Sequence, residues 1–234
     1  MTVTKLQAYD RCRFDRLDAA VAALAGKPAP APTPTPTQTP SAPQTATPTQ
    51  TPTQTPAPTQ TPSPTSSAPA PAVTTVTAFV TGYSWYDNTP PGTSGISNPV
   101  IHQKAGGVGT YADPITVAVG HSMATGKDVL DYPAGTRFYI PNLRRYFIVE
   151  DTCGDGSTPQ LGPCHTGYPT GTTTWLDVWV DGGTITNTAA DACMGVITGK
   201  WSVVRDPAAG YAVEAGPIAG PAGCTKTFGN TLTS

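Results

Sequence analysis

"GTRFYIPNLRRYFIVEDTC", residues 135–153, is the stretch that decides the fold. Two apolar-alternating runs, 137–140 and 146–151, flank a short polar turn, so the stretch reads as two strands joined tightly. The second run ends on paired acids, Glu150 and Asp151, beside Cys153. Neighbouring residues of a strand point to opposite faces. Asp151 is therefore expected to face a cleft and Glu150 to face solvent.

Outward from this pair, runs rich in β-branched and aromatic residues, bounded by Gly, Pro, Asn or Asp, place further strands near 76–86, 115–119, 174–180, 201–204 and 211–214. Only residues 187–197 read as a helix, opened by an Asn/Thr cap and carrying Cys193. Six or seven short strands with one short helix make an all-β domain and favour a small closed barrel over a sandwich.

The rest of the chain is of another kind. Its 234 residues include 27 prolines and only 12% charged residues, an average over unlike segments. Residues 28–73 are almost only Pro, Thr, Ala, Gln and Ser, with repeated Thr-Gln-Thr-Pro units and no charge. Such a composition buries too little apolar surface to offset its ordering entropy, which predicts a disordered, polyproline-rich spacer. Its contour would exceed roughly 100 Å. The expected organisation is a head at 1–27, this linker at 28–73, and a barrel domain at 74–234 that is long enough for one core. Thirteen basic against 15 acidic residues, a net charge of -2, leave no footprint for nucleic acid. No apolar run is long enough to span a membrane, and the head mixes charges throughout, without the apolar core of a secretory signal.

Within the head, Phe14, Leu17, Val21 and Leu24 recur at helical spacing, predicting a helix over 8–24 that Gly26 stops. Two heptads are too few to hold alone. The segment reads either as a frayed helix left by domain fusion or as a docking or oligomerising peg. A charged helix followed by a Pro/Thr stalk resembles the attachment ends of phage minor tail proteins, which implies a virion surface as one location.

Four cysteines, Cys153, Cys164, Cys193 and Cys224, fall in the barrel domain, and Cys12 stands alone in the head. Four cysteines allow three pairings. Cys153 and Cys164 bracket the Gly/Pro-rich "CGDGSTPQLGPC", which a bridge would close, leaving Cys193 for Cys224. Metal binding is the rival reading, with His165 beside Cys164, but the spacing is not C-x-x-C. No metal or cofactor is expected, because His102, His121 and His165 are dispersed. Disulfides place the working surroundings outside the reducing cell interior.

Asp151 and Asp177 each sit among apolar strand neighbours, where desolvation raises a carboxyl pKa and makes a usable proton donor. Glycosidic cleavage needs such an acid, with a second carboxylate or the substrate supplying the other half. The competing reading of Asp151 is a cap on the Gly154–Gly156 loop. A glycan also needs flat apolar surface. Trp85, Tyr86, Tyr111, Tyr168 and Trp175 lie in or beside loops and strand ends, with core filling as the alternative for Trp85 and Trp175. Asp87, beside Tyr86 before a Pro-rich turn, is placed for binding. Asp113 caps a turn or completes the acid cluster, and His121 is a cleft neighbour or a plain strand-end histidine.

Several motifs, in order, resemble those of rare lipoprotein A-like domains. "YSWYDN" at 83–88 is similar to their S-W-Y-G opening, "ITVAVGH" at 115–121 to their T-A-A-H strand, and "PAGTRFYIPNL" at 133–143 to their P-x-G-T-x-V-x-V-x-N-L. "FIVEDTC" at 147–153 stands in the place of V-V-x-V-N-D-R-G, and "TTWLDVWV" at 173–180 in that of V-I-D-L-S. The resemblance implies a six-stranded double-psi β-barrel, as in rare lipoprotein A, the three-aspartate domain of lytic transglycosylases, expansins, barwin-like proteins and family 45 endoglucanases. It implies that Asp151, Asp177 and His121 are catalytic-site residues. The first of the three aspartates falls on Gly120 here, and the glutamate after T-A-N-G-E has no counterpart.

The partner this implies is a cell-wall polysaccharide, peptidoglycan or a cellulose-like glycan. Three functional expectations follow: acid-catalysed cleavage by a lytic-transglycosylase-like or glycosidase-like route, expansin-like binding without cleavage, and a structural appendage on a stalk. Because residues 28–72 supply no apolar contacts, deleting them should leave the thermal midpoint of the barrel nearly unchanged. A large drop in a calorimetric scan would show that they pack on it.

Overall fold

The computed structural model describes residues 74–233. The helix expected at 8–24 and the linker expected at 28–73 lie outside them. In chain order the strands are β1 (Thr74–Tyr83), β2 (Ile115–Val119), β3 (His121–Ser122), β4 (Val129–Leu130), β5 (Arg137–Ile140), β6 (Arg145–Thr152), β7 (Thr174–Trp179), β8 (Gly199–Arg205), β9 (Ala219–Gly220) and β10 (Gly223–Cys224). Six of them close a barrel in the order β1-β7-β2-β6-β5-β8. The sheet is mixed: β1 runs parallel to β7 and β2 parallel to β6, and the other neighbours are antiparallel. The closed six-stranded barrel expected from the sequence is present.

Register shows which face of each strand is the core. In β8, Lys200 is exposed and Val203 buried, and Lys200 pairs with Phe79 of β1. Phe79, Thr81 and Tyr83 therefore point out of the barrel, and Val80 and Gly82 point in. Carried across the pairs Thr81↔Asp177, Val117↔Val178, Val117↔Val149 and Phe138↔Phe147, the same alternation puts Leu176, Val178, Val117, Val149, Phe147 and Phe138 inside. All six are fully buried. Trp175, Asp177 and Trp179 share the outer face with Thr81. That face is also dry: Phe79 meets Trp175 edge-on at 4.7 Å and Tyr83 meets Trp179 at 5.1 Å, because the loops wrap it.

Two helices follow in the connections, α1 (Pro163–Thr166) and α2 (Asn187–Ile197). α2 matches the expected helix. Thr186 caps it by accepting from Ala189 N, and Ala190, Cys193, Met194 and Ile197 form its buried stripe. The stripe packs on β1 where Gly82 leaves room. A Cβ there would come within 2.6 Å of Val180, 3.0 Å of Ile197 and 3.1 Å of Met194. Both expected disulfides are formed, Cys153–Cys164 and Cys193–Cys224. The first encloses a short 3-10 turn (Pro159–Leu161) and ends within α1; the second ties α2 to β10. No helix among the described residues is long and apolar enough to cross a membrane.

Residues 211–214 are not the strand that their pattern predicts. The barrel is already closed, so no free edge exists for them to join. Their apolar side chains serve an aromatic cluster outside it. Tyr211 stacks on Tyr139 at 4.8 Å, and Tyr139 donates its hydroxyl to Ala212 O at 2.6 Å. β1 also stops at Tyr83 instead of residue 86, because Asp87 accepts from Ser84 N at 2.7 Å and turns the chain.

Replacing Cys193 and Cys224 by serine removes a crosslink across 31 residues, which should cost about 3 to 4 kcal/mol on the chain-entropy model. Denaturant unfolding of the double variant measures it directly.

Candidate functional site

On the outer face, one row crosses four strands. Thr81 pairs with Asp177, Asp177 with Ala118, and Ala118 with Asp151. Two carboxylates thus flank a single methyl group, one from each neighbour of β2. Between Val117 and Ala118 the ladder to β6 skips Glu150. This β-bulge sets Glu150 and Asp151 against one residue instead of two.

Asp177 is 2% exposed. Its Oδ1 accepts from Thr81 Oγ1 at 2.6 Å, and Thr81 Oγ1 in turn accepts from Trp175 Nε1 at 2.7 Å. Its Oδ2 lies 3.9 Å from Sγ of Cys153, a disulfide sulfur with no hydrogen to give. Asp177 is therefore held beneath the disulfide and does not line the open cleft.

Asp151 does line it. The cleft, about 270 Å³, is bordered by Tyr83, Asn88, Ser97, Asp151, Thr152 and Asp155, among others. Asp151 Oδ1 accepts from Ser97 N at 3.1 Å, Ser97 Oγ at 2.9 Å and Thr152 N at 2.9 Å. Oδ2 accepts from the Tyr83 hydroxyl at 2.9 Å. Burial pushes the carboxyl above the usual aspartate range, against the lowering effect of these four donors. Oδ1 is saturated, so the proton of the acid form belongs on Oδ2, where the Tyr83 hydroxyl can turn and accept it.

Glu150 corrects the expectation from the sequence. It is fully buried, not solvent-facing, because the bulge turns it outward under the loop of residues 84–114. Its Oε1 accepts from the backbone N–H groups of Val100, Ile101 and His102 at 3.2, 2.8 and 2.9 Å. Oε2 meets His102 Nδ1 at 2.6 Å and accepts from Thr116 Oγ1 at 3.2 Å. His102 Nε2 lies 2.8 Å from Asp113 Oδ1. Burial alone would lower the His102 pKa, but the bonds to Asp113 and Glu150 outweigh it and hold the imidazole above its ordinary value. Burial likewise works to raise Glu150, and the donors from His102 and Ile101 overcome it, leaving the carboxyl below its ordinary value. Ser97, which forms part of the cleft wall, begins the segment that Glu150 anchors.

The other named residues are scattered around this arrangement. His121 is buried, with Nε2 donating to Gly154 O at 2.8 Å and Nδ1 2.7 Å from Asp128 Oδ1. It struts β3 against the loop after β6 and does not border the cleft. Trp175 is 1% exposed and closed to any ligand, which makes it the core filler of its two readings. The Trp85 indole is half-buried with Gly183 against it: a Cβ there would come within 3.1 Å of the ring. Tyr86 donates its hydroxyl to Ile185 O, and Tyr168 packs on the core. Tyr111 remains 40% exposed, with the Arg137 guanidinium 4.7 Å over its ring, far in sequence from the cleft wall. Asp113 pairs with His102, not with the other acids. Of the residues named from the sequence, Asp151 borders the cleft, as does Asn88, which the Pro-rich turn after Tyr86 and Asp87 also puts forward for binding.

Sequence reasoning missed Tyr83, Ser97, Thr152 and Asp155. Nothing local to residues 97–99 shows that they fold back on Asp151. Among the described residues no group of three His, Cys, Asp or Glu side chains is arranged to hold a metal ion.

The family model described as DDB_G0273701 N-terminal domain matches residues 75–225, and the chain belongs to that family. The match takes in all six barrel strands and both disulfides. A curated relative, Uncharacterized protein DDB_G0273701/DDB_G0273221 of Dictyostelium discoideum, is 31% identical over 139 residues, covering 59% of this chain and 54% of the relative. The chain therefore spans about half the length of the curated relative it matches. No solved structure matches.

The Glu150–His102 pair gives a pH signature. A raised histidine contributes stability that is complete below its unfolded value of 6.5 and is lost as pH rises through the folded value. A depressed glutamate contributes stability that is complete above its unfolded value of 4.5 and is lost as pH falls through the folded value. Both act in full between these two values. The thermal midpoint of His102→Gln should therefore fall furthest below the parent in that window, and the gap should narrow as pH rises past the folded value of His102. A gap independent of pH would show that the ring acts by packing alone.

Proposed function

We propose that this barrel of the DDB_G0273701 N-terminal domain family is directed at cell-wall glycan, and that Asp151 is its proton donor. The observation that carries the reading is a carboxyl only 7% exposed, on the wall of a cleft, whose pKa burial raises above the usual aspartate range. At about 270 Å³ the cleft lies below the roughly 300–1,000 Å³ of drug-sized sites, a scale suited to a sugar unit entering from a longer chain. The motif resemblance to rare lipoprotein A-like domains, lytic transglycosylases and family 45 endoglucanases supports the same reading, with peptidoglycan ahead of cellulose as substrate.

In this mechanism Asp151 Oδ2–H protonates the glycosidic oxygen as the bond to the anomeric carbon breaks. Water or a hydroxyl of the substrate then attacks that carbon and returns a proton to the Asp151 carboxylate, restoring the acid. Tyr83 donates to the carboxylate left behind, and Ser97 with Thr152 fixes its orientation. Asp177 holds the row behind it through Thr81 and stays out of contact with substrate. The two disulfides suit an oxidising, extracellular setting. A second reading, expansin-like binding without cleavage, is favoured by one observation: the second acid of the row, Asp177, is 2% exposed beneath the Cys153–Cys164 bridge.

Incubation with purified peptidoglycan and with cellulose, followed by analysis of released ends, tests both readings. Asp151→Asn should cut turnover by at least about a hundredfold, the scale of a general acid, while adsorption persists. A parent protein that adsorbs and releases nothing would leave the binding module standing. Cleavage unaffected by Asp151→Asn but abolished by Asp177→Asn would move the acid role across the row.

A further inference from the structure

The side chains around the cleft have a one-sided hydrogen-bonding inventory. Five of those lining it carry donor hydrogens: Tyr83, Asn88, Thr89, Ser97 and Thr152. Each donor is already engaged inside the protein. Tyr83 and Ser97 donate to Asp151, both at 2.9 Å, and Thr89 Oγ1 donates to Asp155 Oδ2 at 3.0 Å. Thr152 Oγ1 and Ser97 Oγ are 3.1 Å apart. Thr152 is the donor of that bond, because the Ser97 hydrogen is spent on Asp151.

Asn88 is fixed in the same sense. Its Nδ2 donates to Thr93 O at 3.2 Å and Gly95 O at 2.9 Å. Two carbonyl partners on one atom settle which way the amide faces. Its Oδ1 is then the free end, and no described donor reaches it, although Asn88 is only 5% exposed. One oxygen of Asp155 is in the same condition. No Lys, Arg or His side chain lines the cleft, and the ion pairs among the described residues involve neither Asp151 nor Asp155. What an incoming ligand meets is therefore an amide oxygen and an Asp155 oxygen left over as acceptors, and a half-open carboxylate, Asp155, without a counterion.

We infer that the cleft selects a glycan bearing a free amine, an un-acetylated hexosamine unit, and rejects uronic acids. The inference rests on the glycan reading above and narrows its substrate to de-N-acetylated stretches of a hexosamine wall polymer such as peptidoglycan. An ammonium brings three donors and a positive charge to a site that has acceptors and the Asp155 carboxylate left over. A neutral sugar brings hydroxyl donors alone. A uronate sets its charge against Asp155 with no basic side chain to offset it, and like-charge juxtaposition is an effective rejector of wrong partners.

Calorimetric titration of the full chain near neutral pH and low salt, with tetramers of glucosamine, N-acetylglucosamine and galacturonic acid, tests this. The glucosamine tetramer should bind at least about tenfold more tightly than the acetylated one, and galacturonate should not bind measurably. Asp155→Asn, a change at the half-open rim, should bring the first two within about twofold of each other while the thermal midpoint stays put. Raising the salt should shrink the amine preference in the parent and not in the variant. Galacturonate binding as well as glucosamine, or an amine preference that survives Asp155→Asn, overturns the inference and leaves the glycan reading intact. If none of the three binds, the glycan reading fails and this inference with it.

Discussion

The β-bulge at Glu150 is the constraint on which the site depends. A regular ladder would send Glu150 and Asp151 to opposite faces. Skipping one residue against β2 keeps both on the outer side, where they do different work. Glu150 gathers three consecutive backbone N–H groups and an imidazole, and so fixes the long connection between β1 and β2. Asp151 then meets the near end of that connection at Ser97. The wall of the cleft and the acid in it are thus positioned by adjacent residues of one strand. This is the physical answer to why a strand should end in two acids.

The environment sorts those acids by what surrounds them more than by how deep they lie. Glu150 is fully buried yet has its proton held off by a histidine and main-chain donors. Asp151 is slightly more open yet its carboxyl pKa is raised, because burial outweighs its neutral donors and no cation sits beside it. Separated protonation behaviour in neighbouring carboxyls is a common mark of functional sites. Here it follows from His102 and the main-chain donors gathered on one acid and not on the other.

Much of the scaffold was legible in the sequence. Alternation at 137–140 and 146–151, and β-branched or aromatic runs between Gly, Pro, Asn and Asp elsewhere, placed all six barrel strands, and the Asn/Thr cap placed α2. The Gly/Pro-rich loop between Cys153 and Cys164 gave the bridge. Local pattern failed where a tertiary partner decides the outcome. Residues 211–214 alternate like a strand but meet a sheet that has no open edge. Glu150 looks solvent-facing until a connection of some thirty residues folds over it. Most of the cleft wall was invisible for a similar reason: Thr89 and Ser97 are ordinary polar residues, and they become part of a site only by lying against Asp155 and Asp151. The aromatic residues were legible as aromatic, but whether an indole stacks on a ligand or on a neighbour depends on packing that no local window contains.

Barrel closure also has a consequence for the order of assembly. β1 is the first strand of the barrel in sequence, and its neighbours β7 and β8 are the last two of the six; the Thr81–Asp177 bond alone spans 96 positions. The nascent chain therefore carries β1 with both edges bare until nearly the whole domain has emerged, a high contact order that makes closure slow. The two disulfides span only 11 and 31 positions, and loop-closure entropy favours such short crosslinks. Thiol oxidation can thus run ahead of the sheet, so that when β1 finds its neighbours, the segment carrying Asp155 and the segment carrying α2 are already tied in place.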